Sequence, residues 1–215
     1  HVIDLGNTIA LDLSSPEVIW ENITSKNRNI IRKAKKNNIQ IHHTDDYSIF
    51  EHFISIYNQT MQRDNAEEYY YFKEEFYKAI HDSLKGNYQV FYATLDDQII
   101  AVSIILYANK QIHYHLSGSL SEYRSFAPTN LLLYEVALWG HQQGCKTFHL
   151  GGGLGSGNDN LYKFKAAFNR NSGLQFSIGK QIFNQALYDQ LVEERLLENP
   201  SFDLESKYFP LYRSK

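Results

Sequence analysis

Three strand-like runs follow one another between residues 88 and 118 with two residues between each: YQVFYATL (88–95), QIIAVSIILYA (98–108) and QIHYHLSG (111–118). Links as short as Asp96–Asp97 and Asn109–Lys110 join antiparallel neighbours and leave no room for a crossover helix. Helical patterns stand on both sides of this block. DYSIFEHFISIYNQTMQ (46–62) and AEEYYYFKEEFYKAIHDSL (66–84) precede it, and a helix from Pro128 to about residue 143 follows. With short strands at IQIHH (39–43), KTFHL (146–150) and LQFSIGKQIF (174–183), residues 39–183 read β-α-α-β-β-β-α-β-α-β. That order predicts an α/β (mixed α+β) domain with a central mixed sheet and helices on both faces, not a doubly wound parallel sheet.

Before this block, TIALDLS (8–14) alternates like a strand and Ser15–Pro16–Glu17 opens a helix. The helix runs to Asn37–Asn38 with a break expected near Thr24–Ser25. A C-terminal helix (185–198) and a polar tail end the chain.

Composition removes several classes of function. At 215 residues with 43% apolar content the chain can bury a core. Its longest apolar run, IIAVSIILYA (99–108), is too short to cross a bilayer, and no charged-then-apolar leader marks secretion. Cys145 is the single cysteine, which excludes an intramolecular disulfide and fits a reducing, cytoplasmic setting. A net charge of −3 argues against a dedicated nucleic-acid binder while allowing local basic patches. Nine histidines raise the question of a metal, but no H-E-x-x-H or Cys–His spacing is present, and no metal site is expected.

The stretch FHLGGGLGSGNDNLYKFKAAF (148–168) holds the densest chemistry. Its glycines miss both P-loop and dinucleotide spacing, and Asp159 at the start of the next helix competes with an anion there. Gly151, Gly152 and Gly153 are read instead as letting the chain leave a strand with positive φ and letting substrate approach the backbone. In the helix that follows, about 100° per residue puts Phe164, Lys165 and Phe168 near Leu161, whereas Lys163 points away. Lys165 thus lies in an apolar stripe. Either it snorkels from the stripe's edge, or it is desolvated, which lowers its pKa and fits it to proton transfer or oxyanion binding.

Six basic residues fall between Lys26 and Lys36, with Arg28, Arg32 and Lys35 on one helical face that is either a solvated surface or a phosphate contact. Tyr69, Tyr70 and Tyr71 are expected to run around a helix, so that one or two at most face a cleft. Tyr114 and His115 fall on opposite faces of a strand, so that only one lines a cleft.

NRNIIRKAKKN, TMQRDNAEEYYYF, YRSFAPTNLLLYEVALWG and FHLGGG…LYKFKAAF together resemble the Fem-type peptidoglycan bridge-forming aminoacyltransferases and their GNAT-like relatives, over most of the chain. The resemblance implies a GNAT-like acyl-CoA N-acyltransferase fold. It also implies two GNAT-like halves: residues 1–38 ending the first, 39–183 forming the second, and 184–215 a C-terminal helix and tail. It implies Lys165 as catalytic residue beside Phe164, Arg63 as a substrate-phosphate contact, and chemistry next to the strand bearing Tyr114 and His115. GNAT enzymes grip coenzyme A through R/Q-x-x-G-x-G/A. Here Arg124-Ser-Phe-Ala-Pro-Thr129 fills both glycine positions otherwise, leaving Arg124, Thr129 and Asn130 as donor contacts.

The function implied is transfer of an aminoacyl or acyl group to an amine of a peptidoglycan or surface-polysaccharide precursor. The donor is aminoacyl-tRNA or acetyl-CoA, and a lipid-linked acceptor implies peripheral contact at the inner face of the membrane. The rivals are an acetyl-CoA-dependent N-acetyltransferase acting on an amino sugar and a catalytically inert GNAT-like binding module.

Overall fold

The computed structural model describes residues 1–214; Lys215, which ends the predicted tail, lies outside the described residues. Both expected hairpins form. β3 (Tyr88–Leu95), β4 (Gln98–Ala108) and β5 (Gln111–Ser119) pair antiparallel, and Asp96, Asp97, Asn109 and Lys110 all take positive φ, the backbone of tight two-residue hairpin turns. β2 (Gln40–Thr44) adds antiparallel to β3. On the other side β6 (Thr147–Gly151) runs parallel to β5, and β1 (Val2–Asp12) pairs antiparallel with β6 through Ile9–Asp12. The sheet is therefore mixed, with the order β2-β3-β4-β5-β6-β1.

Alternation along β4 separates two cores. Ala101 and Ile105 face one cluster with Ile19, Ile31, Leu132 and Val136; Val102 and Ile104 face the other with Phe50, Phe53, Tyr57 and Tyr77. The first is covered by α1 (Pro16–Asn22), α2 (Ser25–Lys36) and α5 (Pro128–Gln142), the second by α3 (Ile49–Arg63) and α4 (Glu74–Ser83). Ser15 caps α1 by accepting from the Val18 amide and Thr24 caps α2 by accepting from Asn27, so the expected break near Thr24–Ser25 is a cap between two helices.

The chain forms two compact units. The larger runs Asn7–Leu174. Residues 7–38 therefore belong to the same unit as the sheet, because β1 pairs with β6 and α2 packs on α5. The smaller unit is His1–Gly6 with the chain from Gln175 on. It holds the outer part of β1, β7 (Leu174–Gly179) and α7 (Gln185–Glu198), joined by Ser177 Oγ donating to Asp4 Oδ1 (2.6 Å) and the Lys180 amide donating to His1 O (2.8 Å).

Candidate functional site

β5 and β6 are in register only over Gln111–His113 and Thr147–His149. Beyond those pairs the two strands part, and a cavity of about 890 Å³ opens within the larger unit. Its wall draws on the end of α3, the following loop, the second half of β5, the start of α5 and α6 (Asn160–Ala166). Arg63, Tyr114, His115, Arg124, Thr129, Asn130, Phe164 and Lys165 all reach it, although they are scattered over a hundred residues of sequence.

Lys165 is 8% exposed. Its Nζ donates to Gly152 O at 2.7 Å and lies 5.9 Å from the centre of the Tyr114 ring. Burial lowers its pKa and the Asp159 carboxylate opposes that shift, so of the two readings of the apolar stripe the desolvated lysine is the one observed. Asp159 caps α6 by accepting from the Tyr162 amide (2.8 Å) and also accepts from the Leu154 amide (3.0 Å), fastening the glycine loop to the helix that carries the lysine.

The glycines serve this packing more than substrate approach. Gly151 holds φ +80°, and a Cβ there would stand 3.4 Å from Lys165 Nζ. A Cβ on Gly153 would run into Gly157 O and the Asp159 carboxylate. Leu154 and Gly155 are the loop residues on the cavity wall, while Gly151, Gly152 and Gly153 act one layer back, through Lys165.

The β5 wall departs from simple alternation. Ile104 pairs with Leu116 and Ile105 with Tyr114, so His115 is the extra residue of a β-bulge. This corrects the expectation that only one of Tyr114 and His115 lines a cleft: the bulge turns both to the cavity. His115 keeps an exposed edge, and partial desolvation lowers its pKa, which favours the neutral imidazole. Beside it, His113 and His149 place their Nδ1 atoms 3.1 Å apart, and burial with the neighbouring His149 depresses His113 to about 4. Sequence spacing carries no signal for a bulge, which arises from cross-strand register.

At the far end of β5 the Ser119 amide donates to Thr60 Oγ1 (2.9 Å), and Arg63 Nη1 donates to Ser119 O (2.8 Å). The Arg63 guanidinium also forks onto Asp64 (3.0 and 3.4 Å), and the residue still lines the cavity. Because the Ser119 amide points away from β4, alternation puts the Ser117 amide on the same, cavity-facing edge.

At the start of α5, Pro128 has no N–H, and the Asn130 and Leu131 amides both donate to the carbonyl of Ala127, itself at φ +56°. The first turn thus has little left to offer a pyrophosphate beyond the Thr129 amide. Asn130 Nδ2 donates to Oδ1 of buried Asn27 (2.8 Å), and Asn27 Nδ2 donates in turn to Ala167 O, which also accepts from the Thr24 amide and hydroxyl. Asn27 was not a sequence candidate; a polar residue on the buried face of an amphipathic helix was the available signal.

Arg28 and Arg32 are not brought to the cavity. Arg28 donates to Ser25 Oγ (3.3 Å), and Arg32 donates to Asn29 Oδ1 (2.9 Å) and lies 5.1 Å above the Trp20 ring. The buried stripe of α2 is Asn27, Ile31 and Ala34, which turns its basic residues outward. The tyrosine expectation is also corrected. Asn65 at φ +49° ends α3, Glu68–Tyr70 form one 3₁₀ turn, and α4 starts only at Glu74, so Tyr69, Tyr70 and Tyr71 stand on a loop.

Residues 25–166 match the family model of the acetyltransferase (GNAT) domain. No curated protein sequence matches the chain. Among solved structures, FemX superposes with a TM-score of 0.71 at 15% identity, over 87% of this chain and 64% of that one. The C-terminal domain of a putative lysylphosphatidylglycerol synthetase from Agrobacterium fabrum follows at 0.61 and 15% identity, over 91% and 66%. An aminoglycoside acetyltransferase from an uncultured soil metagenomic sample, in complex with sisomicin, gives 0.52 at 12% identity, over 69% and 99%. The chain spans less than two thirds of the length of the first two. At these identities the likeness is one of fold.

Proposed function

The chain belongs to the GNAT acetyltransferase family, and we propose that it is an acyltransferase that moves an aminoacyl or acyl group onto an amine of a cell-envelope precursor. The observation that carries the reading is Lys165: a desolvated lysine held by Gly152 O on the wall of a cavity opened by parting strands. The acceptor amine attacks the donor carbonyl directly, forming the C–N bond. The oxyanion of the tetrahedral intermediate is stabilised by Lys165 Nζ and the Ser117 amide. His115, neutral and on the same wall, takes the proton released by the amine, and the donor's ester or thioester oxygen or sulfur leaves with a proton. No covalent enzyme intermediate is needed. Arg63 and Arg124 supply cationic contacts for a phosphate-bearing substrate, and the outward arginines Arg28 and Arg32 a second, more distant anchor.

The start of α5 favours an aminoacyl-tRNA donor over coenzyme A, because Pro128 and the Ala127 carbonyl use up the amides on which a pyrophosphate would sit. Transfer from acetyl-CoA to an amino sugar is the second reading, favoured by the fold shared with the aminoglycoside acetyltransferase. No described helix is long and apolar enough to cross a membrane, so a lipid-linked acceptor would be met from the membrane surface.

Calorimetric titration of the folded protein with acetyl-CoA separates the two readings. Flat heats are expected; saturable micromolar binding would transfer the donor site to coenzyme A at Arg124, Thr129 and Asn130. Transfer in the wild type should fall as pH drops through the lowered pKa of His115, persisting below the ordinary histidine value of about 6.5. His115→Gln should lower the rate about 10²-fold and erase that acid limb. A variant with the wild-type pH profile would remove His115 from the mechanism.

A further inference from the structure

The cavity's charges are unevenly divided. Its carboxylates are Asp64 and Glu67, and its cations Arg63, Arg124 and Lys165. Asp64 is held by Arg63, whereas the exposed Glu67 carboxylate makes no ion pair or hydrogen bond among the described residues. Glu67 opens the loop that carries Tyr69 and Tyr70, 77% and 39% exposed, and Tyr70 itself lines the cavity. Their rings meet edge to face, 77° apart with centroids at 5.3 Å, which forms a corner rather than a closed stack. From this corner an aromatic series leads inward: Tyr69 to Phe72 (6.5 Å), Phe72 onto Phe76 (4.2 Å), and Phe76 to His115 (6.3 Å). Large aromatic surface left exposed beside an unpaired carboxylate, and continuous with the cavity, marks a binding surface for a cation.

We infer that Glu67 and the Tyr69–Tyr70 corner form a vestibule that captures the acceptor as an ammonium ion. This rests on the acyl-transfer reading, since an aliphatic amine acceptor reaches the protein protonated. Glu67 supplies the counter-charge, the ring faces supply cation–π contacts, and the inner wall with Lys165 and Arg124 repels the same charge. The ammonium therefore waits at the vestibule, gives its proton to solvent water, and enters as the free amine past His115 at the inner end of the aromatic series. Acylation turns the amine into a neutral amide that the vestibule does not hold, so it separates substrate from product by charge.

The test is binding without any donor, followed by protein NMR shifts, with 1,5-diaminopentane, glucosamine and N-acetylglucosamine as probes. Both amines should bind in the millimolar range with shifts at residues 67–76, and N-acetylglucosamine at least tenfold more weakly. Glu67→Gln and Tyr70→Ala should each weaken the amines about 3- to 10-fold, and added salt should weaken the wild type towards Glu67→Gln. Equal binding of glucosamine and N-acetylglucosamine would replace the charge account with recognition of the sugar ring. Absence of amine binding, or a Glu67→Gln variant that binds like wild type, would overturn the proposal. Because no acyl group moves, a failed role for Lys165 leaves this result unaffected, and the two readings fall separately.

Discussion

Replacing Lys165 by methionine is expected to lower the rate of acyl transfer about 10²- to 10³-fold while the protein stays folded. The estimate follows from the cost of deleting one donor aimed at a developing oxyanion in a water-poor site. Methionine keeps the length and apolar stem that α6 packs with and removes the charge, so the loss reports chemistry. Folding should not suffer, because a buried lysine is costly to desolvate and an apolar replacement of similar volume relieves that cost. Single-turnover rates measured beside urea unfolding distinguish the outcomes. A folded variant with the wild-type rate would remove Lys165 from the chemistry, whereas a rate that falls only with stability would make Lys165 structural.

Gly118→Ala is expected to have a large effect on stability. A Cβ at this position would stand 2.8 Å from Tyr57 Cα and 2.9 Å from Ile56 O, both backbone atoms of α3. A side chain could rotate away, but a helix backbone has to move as a body. The loss should reach about 2–3 kcal/mol, near the upper part of the range for overpacked sites. Displacing α3 also pulls Thr60 from the Ser119 amide and Arg63 from Ser119 O, so substrate affinity should weaken together with stability. Urea midpoints would show the first effect, and KM for whichever acceptor proves active the second. A midpoint like the wild type would mean that α3 yields more easily than its packing implies.

The parts of the fold that depend on local chemistry were readable in the sequence. Asp96–Asp97 and Asn109–Lys110 announce hairpins because they are two-residue links between strand-like runs and Asp and Asn tolerate positive φ, and the Thr24–Ser25 break announces a cap. The place of Lys165 in an apolar stripe was legible from periodicity, but periodicity leaves open whether it snorkels or is buried, and its burial shows only in the packing of α6. What depends on register or on which helix face finds a partner was not legible. The bulge at His115 exists only relative to β4. Tyr69–Tyr71 sit in a sequence with helical periodicity, yet Asn65 ends α3 before them and the next helix begins after them. Arg28 and Arg32 share a face with Lys35 as expected, and that face looks outward because Asn27, Ile31 and Ala34 take the core. Residues 7–38 join the larger unit through pairing with a strand some 140 positions away, a partnership that no local window contains.

The choice of Gly152 O as the anchor of Lys165 separates the placement of that side chain from its ionisation. A carboxylate anchor would bind the ammonium strongly, fix it in the charged state, and weaken its hold when the proton left. A backbone carbonyl accepts an N–H from an ammonium and from a neutral amine alike. The lysine can therefore pass through either protonation state, or share its proton with a bound substrate, and remain at the same spot on the wall. Its address is written in the main chain, and its charge is left free to follow the chemistry.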